Sequence, residues 1–347
     1  MNPAKALPAL LGATLLCTPV QAQQDPPNLR DFLQREVGLT AAELQTAATA
    51  QPVTKVVSMA GPRDIGVFGM IAVAAPRSFL VGRVKDFPQY LRGPTRTRMG
   101  LFDAPAQAGN VQSVLVTPED VKELRSCKPG DCSFKLPASE MKQLREKSAG
   151  SEEAAAAIVT AYVRLRMMEF VNDYRARGDA AMLVYDDRGG VEASRALREL
   201  AATPRFLYQY VPEFQQYLDS YPRSKLERAS DVVFWSRDEL PSLRPILNIT
   251  HVSVYTPTAL PQMTLVSSKG IYANHYFQAA LDILAIVERT DAPGTSYVLV
   301  LRRYRFDSLT AGIVNLRGRV TNAMRSLTTT DLQRFKTTYE ALYRQSR

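Results

Sequence analysis

Two cysteines form the residue pair whose spacing is most informative in this sequence. Cys127 and Cys132 enclose the tetrapeptide Lys-Pro-Gly-Asp, and its proline and glycine favour a turn that brings the two side chains together. The third cysteine, Cys17, lies in an apolar N-terminal stretch. In an oxidising compartment, Cys127 and Cys132 are therefore predicted to form a structural disulfide.

Redox and metal chemistry fit this pair less well. A redox-active pair is expected to have two residues between the cysteines and a helix N-terminus beside one thiol, whereas the helix predicted here ends at Cys127. A zinc site would need two further ligands, and the only histidines are His251 and His275. The sequence therefore predicts no metal and no other cofactor.

The two histidines and their aromatic neighbours are the candidate ligand-binding residues. Because side chains alternate along a β-strand, His251 and Tyr255 share one face of a predicted strand. His275 and Phe277 are assigned to one face of a later strand. If these faces line a cavity, the polar groups are isolated in apolar surroundings, as in many small-molecule sites. The alternative is that each histidine is exposed or hydrogen-bonded in the core, and Asp282, on the opposite strand face, is expected to be solvated.

The N-terminus has the features of a secretory signal peptide over residues 1–22. Lys5 supplies a positive charge, residues 7–16 form an apolar stretch, and Val20-Gln21-Ala22 offers small residues at a cleavage position. No later apolar run approaches the roughly 20 residues of a transmembrane helix. The sequence therefore predicts a soluble exported protein, either periplasmic or secreted.

The charge balance is mildly basic. The chain has 43 Lys and Arg against 34 Asp and Glu, a formal net charge of +9. Its densest basic run, residues 302–306, alternates between two strand faces, which is typical of a solvated strand rather than a nucleic-acid patch. Phosphate-binding glycine loops and common hydrolase motifs do not occur in the sequence. Nucleic-acid, nucleotide and common hydrolase functions are therefore disfavoured.

Hydrophobic periodicity indicates an α+β fold. Residues 1–22 are followed by an N-terminal helical segment, residues 23–55, and by a single domain, residues 56–347. The domain is predicted to contain a strand over 64–75, a helix to about 90, a short strand over 111–116 and largely helical chain over 139–178. Five long strands follow, at 231–236, 245–255, 262–272, 275–288 and 296–306. A C-terminal amphipathic helix, expected to lie across the last two strands, carries one apolar stripe: Ile313, Leu316, Val320, Met324 and Leu327.

This order of elements resembles the helix-grip, or START-like (SRPBCC), superfamily. In that fold a curved antiparallel sheet wraps a long C-terminal helix, and the cavity between them takes a lipid or another apolar molecule. The resemblance implies that residues 139–178 form a helical insertion. It also implies that Val320 of the helix, together with His251, Tyr255, His275 and Phe277, lines the ligand cavity.

Several local sequences resemble a family of exported bacterial proteins without an assigned activity. The resemblance covers most of the chain from the first strand to the last helix. It implies bacterial export and one continuous architecture, and it supplies no catalytic residue. The segments that carry it are Asp64–Gly69, Arg125–Cys132, Val233–Ser236, Asn248–Val252 and Ile271–Phe277.

Three functional hypotheses follow. The first is an exported binding or carrier protein for an apolar or amphipathic small molecule such as a lipid. The second is a non-catalytic envelope interaction or maintenance protein whose core is filled by side chains. The third, ranked last, is an enzyme that uses His251 or His275 as a general base, because histidine titrates near neutral pH.

Replacing both cysteines with serine is expected to leave the fold intact. A loop this short removes little conformational entropy from the unfolded chain, so the disulfide should contribute toward the low end of a range of roughly 0–5 kcal/mol. Urea unfolding of the Cys127→Ser, Cys132→Ser double variant measures this contribution. Detection of two free thiols in the unreduced, denatured parent protein would contradict the predicted bond.

Overall fold

A computed structural model describes residues 28–240, 243–309 and 316–347, without the side chains of residues 207 and 208. The predicted signal peptide lies outside these described residues, as does Ile313 of the C-terminal stripe. Within them, the chain forms a mixed α and β structure with one large antiparallel sheet.

Eight strands form this curved sheet, and a separate ribbon has two. The sheet strands are Val53–Val57 (β1), Asp64–Val73 (β2), Arg96–Leu101 (β3), Ser230–Asp238 (β6), Ile246–Tyr255 (β7), Met263–Ala273 (β8), Phe277–Glu288 (β9) and Ser296–Phe306 (β10). The ribbon contains Val184–Tyr185 (β4) and Val191–Glu192 (β5). All neighbouring strands of the sheet are antiparallel, in the order β1-β2-β10-β9-β8-β7-β6-β3.

The described helices lie before β1, between β2 and β3, in the long segment between β3 and β6, and after β10. A capping box between Thr40 and Glu43 begins the second of them, as the sequence predicts. The helices are Leu29–Arg35 (α1), Ala41–Ala48 (α2), Arg77–Lys85 (α3), Phe87–Tyr90 (α4), Ala108–Val111 (α5), Pro118–Leu124 (α6), Ala138–Lys147 (α7), Glu152–Arg177 (α8), Ala193–Ala201 (α9), Phe206–Tyr210 (α10), Pro212–Ser220 (α11) and Leu316–Gln345 (α12).

Both faces of the sheet are buried. Side chains alternate along each strand, so Val298 and Val300 of β10 lie on the face that bears α12, here called the inner face. Leu299 and Leu301 lie on the opposite, outer face beneath α1 and α2. All ten residues of β2 are buried, which is the pattern of a strand covered on both sides.

The inner face is covered by α3, α4 and α12. Leu80 of α3, Phe87 of α4 and Leu332 of α12 join the inner-face side chains in one hydrophobic core. The helix α12 packs mainly on β2 and reaches the β9–β10 hairpin through β10. The described part of the predicted stripe packs on β2 rather than across that hairpin, and β1 is the next strand that α12 contacts.

The outer face is covered by the remaining helices. Helices α9 and α11 pack over β8 and β9 through Leu197, Phe214 and Leu281. Helix α8 packs over β6 and β7 through residues such as Phe170, next to the buried Trp235. The predicted helical segment 139–178 thus corresponds to α7 and α8, and it lies on the side of the sheet opposite α12.

Three local predictions differ from the structure. Residues 111–116 do not form a strand: Val111 and Val114 face the same core three residues apart, at the end of α5 and in the turn after it. The edge strands β1 and β3 were not predicted, and β1 begins inside the predicted helical segment 23–55. The run 302–306 is not solvated, because Arg303 and Arg305 are buried on the outer face and Arg305 pairs with Asp64 at 2.7 Å.

Gly69→Ala is expected to destabilise the protein by about 1–3 kcal/mol, the usual cost of overpacking. A Cβ at position 69 would lie 2.7 Å from a methyl carbon of Thr328 and 2.8 Å from one of Leu332, so α12 would be pushed away from β2. Urea unfolding measures the change. Gly82→Ala is the matched control, since nothing lies within 4 Å of a Cβ there and alanine should stabilise α3 by about 0.5–1 kcal/mol. Equal effects of the two substitutions would contradict the tight contact.

Candidate functional site

A cavity of about 360 Å³ lies between the inner face of the sheet, α4 and α12. Its volume falls within the range of roughly 300–1,000 Å³ typical of ligand sites. Strands β6 to β10 form its floor, and α12 forms its roof. The apolar lining includes Phe234, Leu284, Val298, Val300, Leu332, Phe335 and Tyr339, and the polar lining includes Tyr90, Arg96, Asp238, Asn248, Thr250, Ser268, Asp282, Arg302, Tyr304 and Asp331.

One group of charged side chains connects the two middle strands to α12. Asp282 of β9 and Arg302 of β10 are directly opposite each other in the sheet register. The Arg302 guanidinium donates to the Asp331 carboxylate at 2.6 Å, whereas its Nε lies 3.8 Å from Asp282 Oδ2. Asp282 Oδ2 accepts a hydrogen bond from the Tyr304 hydroxyl at 3.2 Å. Arg302 therefore forms its hydrogen bond with Asp331 of the helix. The donor that remains for Asp282 is the Tyr304 hydroxyl.

A second charged group lies at the β6 side of the cavity. Arg96 Nε donates to Asp238 Oδ1 at 3.2 Å, and the Asn248 amide donates to Asp238 Oδ2 at 2.9 Å. The Arg96 guanidinium also lies 5.2 Å from the ring centroid of Phe234, within range of a cation–π interaction. Both oxygens of Asp238 therefore have donors, in contrast to Asp282.

Burial changes the proton affinities of the cavity side chains. It raises the pKa of Asp282 to about 6, and the nearby Arg302 only partly offsets this effect. About 26% of the Asp282 side chain remains accessible, and this residue is part of the cavity lining. Burial also raises the pKa of the Tyr304 and Tyr90 phenols, so both stay neutral. The cavity thus contains a carboxyl group that can change its charge near neutral pH.

His251 does not line this cavity. It lies on the outer face, only 1% exposed, with Nδ1 3.0 Å from the Tyr174 hydroxyl and Nε2 2.9 Å from Asp231 Oδ1. Asp231 also accepts hydrogen bonds from Ser253 at 2.6 Å and from Tyr217. His251 is therefore not among the residues that line this cavity, and its surroundings are those of the hydrogen-bonded alternative.

The His251 network is complete in the neutral state of the imidazole. Burial lowers the pKa of His251, and Asp231 opposes this only in part. We assign the Nε2 proton to the bond with Asp231, since Nδ1 then accepts the Tyr174 hydroxyl proton. Both ring nitrogens are used, so the network ties α8 to β6 and β7.

His275 also lies outside the cavity, and both of its ring nitrogens contact the segment between β3 and β6. Its Nδ1 donates to the Ser133 carbonyl at 2.7 Å, and its Nε2 lies 3.0 Å from Asp120 Oδ1. Both His275 and Asp120 are buried. His275 precedes β9 rather than lying within it, so it has no place on the strand face that the sequence analysis assigned to it.

The other three predicted ligand residues are in different places. Tyr255 lies on the outer face, stacked on Phe214 with ring centroids 5.3 Å apart. Val320 packs against β2 and β10 rather than lining the cavity. Phe277 does line the cavity, because the register shifts between Arg305 and Phe306 and turns the start of β9 over.

The cavity residues that the sequence analysis missed are on the inner faces of the same strands. Asp282 is opposite to Leu281 and Ile283, as alternation predicts, but its face lies beneath α12 and lines the cavity, so Asp282 is partly buried and not fully solvated. The hairpin turn at residues 291–294 is the sequence feature that could have identified Asp282. The turn sets the pairing of Asp282 with Arg302, and an acid opposite an arginine in two apolar strands indicates a buried pair.

Two smaller features lie outside this cavity. Cys127 and Cys132 are bonded to each other, with their Cα atoms 4.9 Å apart. Their sulfurs are therefore not free to act with Glu123, which lies beside them, as metal ligands. A mainly apolar recess of about 180 Å³ lies on the outer face, between α1, α10 and β8 to β10.

Comparison with protein-family models and with curated proteins finds no match to this chain. In the part of the chain that the structure describes, no helix has both the length and the apolar character needed to cross a membrane. The disulfide is compatible with an exported protein.

Asp282→Asn is expected to stabilise the protein at pH 7.5 by up to about 3 kcal/mol. The carboxyl pKa rises from 3.8 to about 6 on folding, and one pKa unit corresponds to about 1.4 kcal/mol. Well below pH 3.8 the carboxyl is protonated in both states, so the difference between variant and parent should vanish there, be small at pH 4 and grow between pH 4 and 6. Urea unfolding at pH 4, 6 and 7.5 measures it. A variant less stable than the parent at pH 7.5 would contradict this prediction.

Proposed function

We propose that this protein is an exported binding or carrier protein for a small amphipathic molecule, held in the cavity between the inner face and α12. The observation that carries the proposal is the cavity itself, about 360 Å³ in volume and lined by both apolar and charged side chains. A cavity of about 150 Å³ holds one benzene molecule. The ligand would therefore have the bulk of about two rings, or of a short chain with a headgroup.

The arrangement of the lining supports an amphipathic ligand over a wholly apolar one. Valines of β10 and the aromatic residues of α12 form one set of walls, while Asp282, Arg302 and Asp331 form a charged region. Charged groups in a partly buried space are costly unless a partner of suitable chemistry lies beside them. The curved sheet with a helix across one face supports a START-like architecture, and the disulfide supports export.

The cavity also distinguishes the carrier hypothesis from the alternatives. An envelope protein with a filled core would have the space between sheet and helix packed by side chains, and a volume of about 360 Å³ there speaks against it. The enzymatic hypothesis relied on His251 or His275. Both are held in hydrogen-bonded networks away from the cavity, so neither supports a general-base role there.

Leu284→Trp is expected to remove ligand binding with little loss of stability. Leu284 lines the cavity and is only partly buried, so the larger side chain enters empty space instead of overpacking a core. Native mass spectrometry of protein purified from its natural host measures the bound mass, and a thermal melt measures stability. The parent should carry a small molecule, and the variant should carry at least tenfold less.

Val320→Trp is the matched control for this substitution. Val320 lies on the same helix that roofs the cavity but packs against β2 and β10 outside the lining. It should keep the bound molecule, because the larger side chain there does not enter the cavity. An empty parent protein, or a Leu284→Trp variant that retains the molecule, would contradict the proposed function.

A further inference from the structure

The charges around the cavity are unevenly matched, and the mismatch lies at Asp282 and at the neighbouring Arg302 Nε, which is also buried without a hydrogen-bond partner among the described residues. Two carboxylates, Asp282 and Asp331, share the guanidinium of Arg302, which lies 2.6 Å from Asp331 and 3.8 Å from Asp282. The second distance is too long for a hydrogen bond. Among the described residues, Asp282 Oδ1 is buried without a hydrogen-bond partner. The Tyr304 hydroxyl, on Oδ2, is its one donor.

The other cations near the cavity are committed elsewhere or exposed. Arg96 pairs with Asp238 at 3.2 Å. Arg334 of α12 lies 3.5 Å from Asp331, and its side chain is 42% exposed. Arg303 lies on the other side of the sheet. On β8, the residue opposite Asp282 is Ser268, which carries no charge. No described cation therefore forms a hydrogen-bonded ion pair with Asp282.

Given the proposed binding function, we infer that the cavity takes amphipathic molecules that carry a protonated amine, with the ammonium group at Asp282. An ammonium ion offers three donors, which can satisfy the carboxylate better than the phenol alone. Aromatic side chains surround the same space, including Tyr90, Phe277, Tyr304 and Tyr339, and their faces attract cations. A ligand with a carboxylate would instead lie beside Asp282 and Asp331, which would repel it, and Arg302 is already bonded to Asp331.

This arrangement links binding to pH. Burial holds the pKa of free Asp282 at about 6, and an ammonium ion beside it favours the charged carboxylate. The amine should therefore bind most tightly above pH 6 and lose about tenfold in affinity for each pH unit below it. The groups that face or adjoin Asp282 are Arg302 and Tyr304 on β10, Asp331 and Arg334 on α12, Tyr90 on α4 and Arg303 behind the sheet. Tyr90 and Tyr304 remain neutral across this range.

The test uses three probes with one apolar skeleton: 4-phenylbutylamine, 4-phenylbutanol and 4-phenylbutyrate. Calorimetric titration of the full protein should give at least tenfold tighter binding of the amine than of the alcohol at pH 7.5, with the acid weakest. Asp282→Asn should remove the preference for the amine, so that the amine and the alcohol bind with similar affinity. Asp291→Asn is the matched control, because it removes the same charge from an exposed hairpin turn where the side chain is 62% accessible, and it should preserve the preference.

The outcomes separate this inference from the proposed function. Binding of the acid as tight as that of the amine, an unchanged preference in Asp282→Asn, or no amine binding at pH 7.5 would overturn the inference. After any of these results, the Leu284→Trp experiment can still show whether the cavity holds a native ligand. If the parent protein purified from its host is empty, the proposed function itself fails.

Discussion

The close packing of α12 against β2 is the contact on which the rest of the inner face depends. Gly69 has no side chain, so Thr328 and Leu332 of the helix lie directly on the strand. A helix held against β2 cannot also follow a curved sheet across its other strands. Helices α3 and α4 cover part of β8 and β9, and the cavity lies in the space that remains between α4, α12 and strands β6 to β10.

The charges inside the cavity follow from the same geometry. The hairpin register places Asp282 opposite Arg302, while the position of α12 brings Asp331 within 2.6 Å of the same guanidinium. A buried arginine between two carboxylates can bond fully with only one of them in this arrangement. The carboxylate that is left, Asp282, keeps a raised proton affinity because burial disfavours its charge. The helix thereby determines which acid is available to a ligand.

The outer face shows how polar groups are accommodated away from the candidate site. His251 bonds to Tyr174 and Asp231, and His275 bonds to Asp120 and the Ser133 carbonyl. Each network joins strands of the sheet, or the segment that precedes β9, to the helical region between β3 and β6. The sequence contains only these two histidines. They contribute to the structure rather than to the candidate site, since each of their ring nitrogens has a protein partner.

Most elements and the alternation along each strand were determined by the sequence alone. Period-two patterns located the five long strands from residue 230 onward, and the spacing of Cys127 and Cys132 indicated their bond. Alternation also correctly separated Asp282 from Leu281 and Ile283. Sequence could not tell which face α12 would cover, because both faces are apolar enough to be buried. That choice was made by long-range packing at Gly69 and by a register shift near Phe277, and neither has a local signal.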